Sequence, residues 1–324
     1  MRHVITGGAG FTGSYMAAAL IGRGEKVVIF DLQEPAATNS SVDFVRGDIR
    51  RDSDLAKLHL DSDDVVYHFA ARQFHAGVPY DNRDAWFADV NVNGTRCLLQ
   101  HMSAASTRRM IFFSTDMTYG KPDHTPIDPS HSQRPIGPYG RSKVEAERLL
   151  MQARGEFGLQ ATIFRPRLIA GAGRLGILTK LFRLIRLGLP IPMIGSGKNR
   201  YQMVAVEDCV AAALGAVERN CPSGPFNLGS GEPPTIRQLL RELIRRAGSR
   251  SILLSTPAAV LQPALSLLDK AGLTLLYPEQ FAIANLDYVL NTEATNAGLG
   301  WTPLKNDIDI IFEAYQGFLT SSGR

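Results

Sequence analysis

The feature that most constrains this chain is Thr6-Gly7-Gly8-Ala9-Gly10-Phe11-Thr12-Gly13, which follows a short strand-like run at residues 2–6 and opens a helical pattern. Glycines at this spacing between a strand and a helix have separate tasks. Gly7 permits a tight turn, Gly10 lets a pyrophosphate approach the backbone, and Gly13 lets the helix lie close to the sheet. Unpaired N–H groups and the helix dipole favour an anion there, which puts Phe11 and Thr12 at the ligand too. Asp31 ends a second strand about 20 residues on, where a carboxylate can bond an adenine-ribose 2′-hydroxyl. It repels a 2′-phosphate, and no arginine follows directly in Leu32-Gln33-Glu34, so NAD is expected rather than NADP. Asp48-Ile49, after the third strand, reads equally as an adenine flank or as a helix N-cap before residues 50–58.

Strand-like runs at 2–6, 26–30, 42–45, 65–69, 110–114 and 160–164 alternate with helical patterns at 12–22, 85–102 and 139–153. Such alternation implies parallel strands joined by right-handed crossovers: an α/β, doubly wound parallel sheet of the Rossmann type. Pro122, Pro126, Pro129, Pro135 and Pro138 mark 120–138 as a loop. An amphipathic helix is expected at 176–188, a return to the sheet through a strand at 202–206 and a helix at 207–217, one more strand at 226–228, and a last helix near 307–318. The expected division is a dinucleotide-binding domain of residues 1–165 plus 204–228, and a smaller, discontinuous substrate domain of 166–203 plus 229–324.

Composition narrows the function. The chain has 324 residues, and Lys+Arg minus Asp+Glu is 35 − 31 = +4, with no concentrated basic run. That argues against nucleic acid and allows an anionic small substrate. Cys97, Cys209 and Cys221 are widely spaced and odd in number, so they read as reduced thiols. No export signal is visible. The longest mostly apolar stretch, 252–268, contains two prolines and falls short of the roughly 20 residues that span a bilayer, so a cytoplasmic protein is expected. The seven histidines show no metal-ligand spacing, and no metal site is expected.

Two further motifs carry chemistry. In Tyr139-Gly140-Arg141-Ser142-Lys143, residues 139 and 143 share a helix face. A phenol titrates near ~10 and needs a neighbouring cation to act as a base near neutrality. Lys143 can supply that cation and also hold a nicotinamide ribose, while Ser142 reads as a small packing residue. Pro138 suits a helix start. Ser114-Thr115-Asp116-Met117 stands at the carboxyl end of the fifth strand, where ligands of open α/β sheets bind. The Thr115 hydroxyl can bond the reacting oxygen and share its proton with Tyr139.

Together these residues resemble the extended short-chain dehydrogenases/reductases, the NAD-dependent epimerase/dehydratase group. The matching pieces are TGGAGFTG (6–13), Asp31, GDI (47–49), HFAA (68–71), NVNGT (91–95), STDMTYG (114–120), YGRSK (139–143) and GSGKNRYQMVAVED (195–208). The resemblance implies Tyr139 as general base and acid, Lys143 as its partner and Thr115 as the catalytic hydroxyl. Asp116 falls on the acid of the 4,6-dehydratases. Gly7, Gly10, Phe11, Thr12, Gly13, Asp31, Leu32, Asp48, Ile49, Phe69, Ala70, Ala71, Asn91 and Ser114 would bind NAD. Gln73, Thr115, Arg167 and Arg200 would face the substrate, with Arg200 on a nucleotide sugar's diphosphate; His75 is a further position in reach.

Met117 stands where those dehydratases carry a glutamate, and a thioether cannot remove a carbon-bound proton. Leu168 replaces an asparagine common in the family, and Tyr201-Gln202 replaces an acidic–aromatic pair after Arg200. The reading that follows is an NAD-dependent epimerase of a nucleotide sugar, at C4, working as a homodimer through helices 85–102 and 139–153. A ketosugar reductase or sterol-type hydroxyl dehydrogenase, to which Leu168 and the apolar 252–276 stretch lean, is the first alternative. A dinucleotide-sensing module without catalysis is the second.

Overall fold

The computed structural model describes residues 1–35, 42–74, 77–173, 177–270, 272, 274 and 276–322. The strands are β1 (Arg2–Thr6), β2 (Lys26–Asp31), β3 (Val42–Arg46), β4 (Val65–His68), β5 (Arg109–Phe113), β6 (Gln160–Pro166), β7 (Leu168–Ala170), β8 (Ile191–Ile194), β9 (Met203–Ala205), β10 (Phe226–Leu228) and β11 (Leu253–Thr256). The helices are α1 (Phe11–Gly22), α2 (Asp52–Leu55), α3 (Arg83–Ala88), α4 (Thr95–Ala104), α5 (Pro138–Phe157), α6 (Ile177–Arg186), α7 (Val206–Glu218), α8 (Ile236–Arg246), α9 (Ala258–Lys270), α10 (Pro278–Phe281), α11 (Glu293–Leu299) and α12 (Asp307–Ser322).

Seven strands form one parallel sheet in the order β10-β6-β5-β4-β1-β2-β3. The chain leaves β1 toward one edge and returns at β4 toward the other, so β1 and β4 flank the switch point where such sheets bind ligands. The inner strands are apolar without a polar face because helices cover both sides. Alternate residues divide between two cores. Ile5, Ile29, Tyr67, Ile111 and Phe113 pack with Met16 and Leu20 of α1 and Cys209 and Ala213 of α7. Val4, Val28, Val66, Met110 and Phe112 pack with Leu98 and Met102 of α4 and Ala146 and Leu150 of α5. At roughly 25 cal/mol per Å² of apolar surface, this two-sided burial is what holds the sheet.

A third core lies apart, formed by Phe182 and Ile185 of α6, Leu240 and Leu243 of α8, and Ile311, Tyr315 and Phe318 of α12. Two small sheets, β7-β9 and β8-β11, accompany it.

Three expectations need correction. The strand expected to return to the main sheet at 202–206 is β9, and it pairs with β7 instead; β10 makes the return. The helix expected at 85–102 is interrupted: α3 and α4 are joined by a π-helical turn, Asp89–Gly94. Asp48 is not the N-cap of a helix over 50–58, because α2 begins at Asp52 with Arg51 as its cap. Gly176, the start of the amphipathic helix expected at 176–188, lies outside the described residues, as do parts of the 252–276 stretch; α6 begins at Ile177.

Candidate active site

The glycine loop closes as its sequence demands. Gly7 has φ +74°, and a Cβ there would stand 2.6 Å from the Ala70 nitrogen. A Cβ on Gly13 would stand 2.3 Å from the Gly7 carbonyl oxygen, so only glycine lets α1 start this close to the sheet. Asp31 reaches back to the loop: its carboxylate accepts the Ala9 N–H at 3.0 Å and the Gln33 N–H at 3.1 Å. Phe11 stacks edge-on with Tyr15, Phe69 lies 4.8 Å from Phe113, and Ala70 and Ala71 are half-buried above β4. These residues fit a dinucleotide: a backbone cradle that side chains would fill, beside a carboxylate at the next strand's end.

The other predicted contacts differ in their surroundings. Leu32 is exposed. Asp48 is held by the Arg50 guanidinium, which keeps its carboxyl below the usual range and also reaches Asp89. Ile49 packs under Gly94, where a Cβ would stand 2.6 Å from its methyl group.

The residues expected to transfer the proton lie on α5. Pro138 begins the helix and Gly158, at φ +74°, ends it, which is the usual asymmetry of helix ends. Tyr139 and Lys143 are buried one turn apart. The Tyr139 ring meets Phe74 at 5.2 Å and Phe87 at 5.6 Å. Lys143 is 3% exposed and its ammonium lies 4.1 Å from the centre of the Phe112 ring. Burial pushes Lys143 down to about 7, against the pull of Glu147 one turn further on. His68, also buried, is pushed to about 3 by burial and then by Lys143.

A hydrogen-bond chain fixes the first turn of α5. The Asn91 amide exchanges bonds with the Arg72 backbone at 2.8 and 3.1 Å and donates to the Ser142 hydroxyl at 2.9 Å. Ser142 donates to the Tyr139 carbonyl at 2.8 Å. Asn91 thus sits in the π turn as a brace, and Ser142, read as a packing residue, relays it. A π turn costs regular hydrogen bonding and recurs at functional sites.

Thr115 caps the short turn Asp116–Thr118 at the end of β5, accepting the Met117 N–H at 3.3 Å and donating to Asp116 at 3.2 Å. Gly140 lets this turn press on α5: a Cβ there would stand 2.6 Å from the Met117 carbonyl oxygen. Ser114 is turned away, donating to Glu147. Asp116 is paired with Arg167, which is 5% exposed and lies between the rings of Tyr201 and Tyr288, at 4.4 and 4.3 Å. The structure therefore brings Tyr139, Lys143, Thr115, Asp116 and Arg167 to one end of the sheet. Gln73 and Arg200 are exposed, next in sequence to Phe74 and Tyr201, whose rings meet Tyr139 and Arg167, and His75 lies outside the described residues.

Sequence reasoning missed Glu147, Glu279 and Arg72. Glu147 was findable, since it continues the 139–143 helix face. Glu279 lies about 140 residues from its partners and gives no local signal. Among the described residues no helix is long and apolar enough to cross a membrane, and no cluster could hold a metal. Cys97, Cys209 and Cys221 are unpaired.

A doubly wound sheet, a glycine cradle at its switch point and a buried Tyr–Lys pair define a dinucleotide-dependent enzyme of the short-chain type. Residues 3–229 match the NAD dependent epimerase/dehydratase family, and the chain belongs to it: it is an enzyme with NAD as its cofactor. It is 28% identical to the uncharacterized protein y4nG of Sinorhizobium fredii, over 97% of this chain and 78% of that protein. It is 29% identical to the UDP-glucose 4-epimerase of Streptomyces lividans, over 97% and 95%. Among solved structures it is similar to the UDP-glucose 4-epimerase of Thermotoga maritima with UDP-glucose, at a TM-score of 0.81 and 24% identity, covering 99% of this chain and all of that one.

Proposed function

We propose that this enzyme epimerises a nucleotide-linked sugar at C4. The observation that carries the reading is the buried Tyr139–Lys143 pair packed against the Thr115 turn, beside the dinucleotide cradle. The nearly full-length similarity to proteins named UDP-glucose 4-epimerase supports it. Gly7, Gly10, Gly13 and Asp31 would hold the pyrophosphate and adenosine half of NAD, and Lys143 its nicotinamide ribose. When bound, NAD supplies a hydride acceptor that returns the hydride to the opposite face of the transient ketone.

The chain's own residues manage the proton. Tyr139 takes it from the reacting hydroxyl and gives it back, with Thr115 donating to the same oxygen. Lys143, desolvated and close to neutral pH in its titration, favours the phenolate by its charge. Met117, in the place of a dehydratase base, offers no group to remove a carbon-bound proton. The substrate role of Arg167 belongs to this reading, supported by its open donors beside Thr115. So does Arg200, whose exposure suits a diphosphate at the rim. The same reading expects a homodimer in the cytoplasm, formed through residues 85–102 and 139–153, which size-exclusion chromatography checks.

The test is purified protein incubated with UDP-glucose or UDP-galactose. Interconversion without net NADH is expected. Tyr139→Phe should keep bound NAD and lose turnover by about 10²–10⁴-fold. Near-parental turnover in that variant would remove Tyr139 from the mechanism, and stoichiometric NADH would make the enzyme a net oxidoreductase.

A further inference from the structure

Three side chains of the segment 277–288 reach three parts of the catalytic machinery from the far end of the chain. The Tyr277 ring lies 4.5 Å from that of Phe74, which itself meets Tyr139. Tyr288 donates its hydroxyl to the Asp116 carbonyl at 2.9 Å. Between them, on α10, Glu279 is 3% exposed and its carboxylate faces the backbone N–H groups of Tyr139 and Gly140, whose pull opposes the effect of burial.

The first turn of a helix carries N–H groups without intrahelical partners, and a Ser, Thr, Asp or Asn at the N-cap ordinarily takes one of them. Helix α5 has Gly137 at that position and no side-chain cap of its own. The reason is steric: a Cβ on Gly137 would stand 2.2 Å from the Glu279 carboxyl carbon. A carboxylate from a distant segment has taken the place of the local cap, at the end of the helix where negative charge is favoured. Yet this carboxylate is only part-satisfied. Its Oε2 has no hydrogen-bond partner among the described residues, and it shares an enclosure with Met117, Ile136, Ile283 and Tyr288. A neutral serine at position 137 would cap the helix without the cost of a buried, half-bonded acid.

We propose that Glu279 is a positioning residue for the catalytic helix, fixing the first turn of α5 and holding a negative charge beside the backbone of Tyr139. The proposal rests on Tyr139 being the proton-transfer group. Glu279 acts through Tyr139 and touches no reacting atom.

The charged groups around Glu279 are already engaged. Arg141 of α5 is paired with Asp84 of α3 at 2.8 Å, and Arg83 of α3 with Asp269 of α9 at 2.9 Å. Burial therefore dominates over their pull and lifts Glu279 to about 7. Above that pH the group is charged and opposes a phenolate nearby. Glu279→Gln keeps the shape and an acceptor oxygen but removes the charge, so Tyr139 should ionise at lower pH.

The experiment is an ultraviolet difference titration of tyrosinate in the NAD-loaded enzyme, for the parent, Glu279→Gln and Tyr139→Phe. The component missing from Tyr139→Phe belongs to Tyr139. It should move down by roughly half a pH unit in Glu279→Gln. In parallel, Glu279→Ala should lose about 10-fold or more in kcat, with KM little changed, because the helix start is no longer held. A Tyr139 component at the parental pH in Glu279→Gln overturns the proposal. If Glu279→Ala does not fold, the Gln titration still decides. A component shifted in Glu279→Gln, with a parent enzyme that turns over no nucleotide sugar, would leave the role of Glu279 standing and sink the epimerase reading; an active parent with an unmoved component in Glu279→Gln would do the reverse.

Discussion

Arg165 and Arg167 stand two residues apart at the end of β6, both buried, in networks of opposite character. Arg165 uses all its nitrogens: two bonds to Glu147 at 3.1 and 2.6 Å, and two from Nη1, to the Tyr119 hydroxyl at 3.1 Å and the Pro129 carbonyl at 3.0 Å. Its partners are occupied in turn. Glu147 also accepts Ser114 and, at 2.8 Å, Gln133, while Tyr119 donates to Asn227 at 2.6 Å. Arg167 bonds Asp116 through Nη1 alone; its Nε and Nη2 are buried without a partner among the described residues. A closed circuit of polar groups serves the fold. An open one is costly, and its retention next to Asp116 fits the substrate role proposed for Arg167.

Substitutions can break this contrast. The largest effect is expected from Glu147→Ala, which strands a buried guanidinium together with Ser114 and Gln133. Urea unfolding should show a loss of about 3–5 kcal/mol. Next comes Lys143→Met. The folded-state lysine titrates near 7 and the unfolded one at 10.5, so between those values the unfolded chain binds more protons and stability rises with pH. The penalty for burying the ammonium is complete below about 7 and gone above 10.5. Lys143→Met should thus stabilise by roughly 2–3 kcal/mol at pH 6, less than the full conversion of the shift because the Phe112 contact is lost, and the gain should fade toward pH 10. The smallest effect on stability is expected from the double substitution Asp116→Asn with Arg167→Met. Replacing an open ion pair whole should change unfolding by no more than about 1 kcal/mol while turnover drops sharply. A loss there equal to that of Glu147→Ala would erase the distinction between the two networks.

How much of this was legible beforehand follows the distance between partners. The glycine cradle, Asp31, the Tyr139–Lys143 face and the turn at Thr115 are each encoded within a few residues or one strand–helix unit, and all were readable. The split of the helix at 85–102 was not, because the π turn at Asp89–Gly94 exists where Asn91 reaches Arg72 and Ser142, contacts that no local periodicity expresses. The strand at 202–206 had the right pattern for a strand, but a three-residue strand carries no mark of its partner, and β9 found β7 rather than the main sheet. Arg200 was placed by motif alone; its neighbour Tyr201 is the residue whose ring reaches the buried arginine.

By itself, then, the order of residues determined the sheet's class, the dinucleotide cradle and the helix face that carries the phenol and the ammonium, because short-range sterics and periodicity dictate them. Only the tertiary structure decided which arginine is closed and which is open, which acid lies at the start of α5 and which hydroxyl is turned toward Glu147. Those outcomes depend on burial and on contacts between segments as far apart as Asp116 and Tyr288, and burial is a property of the packed molecule.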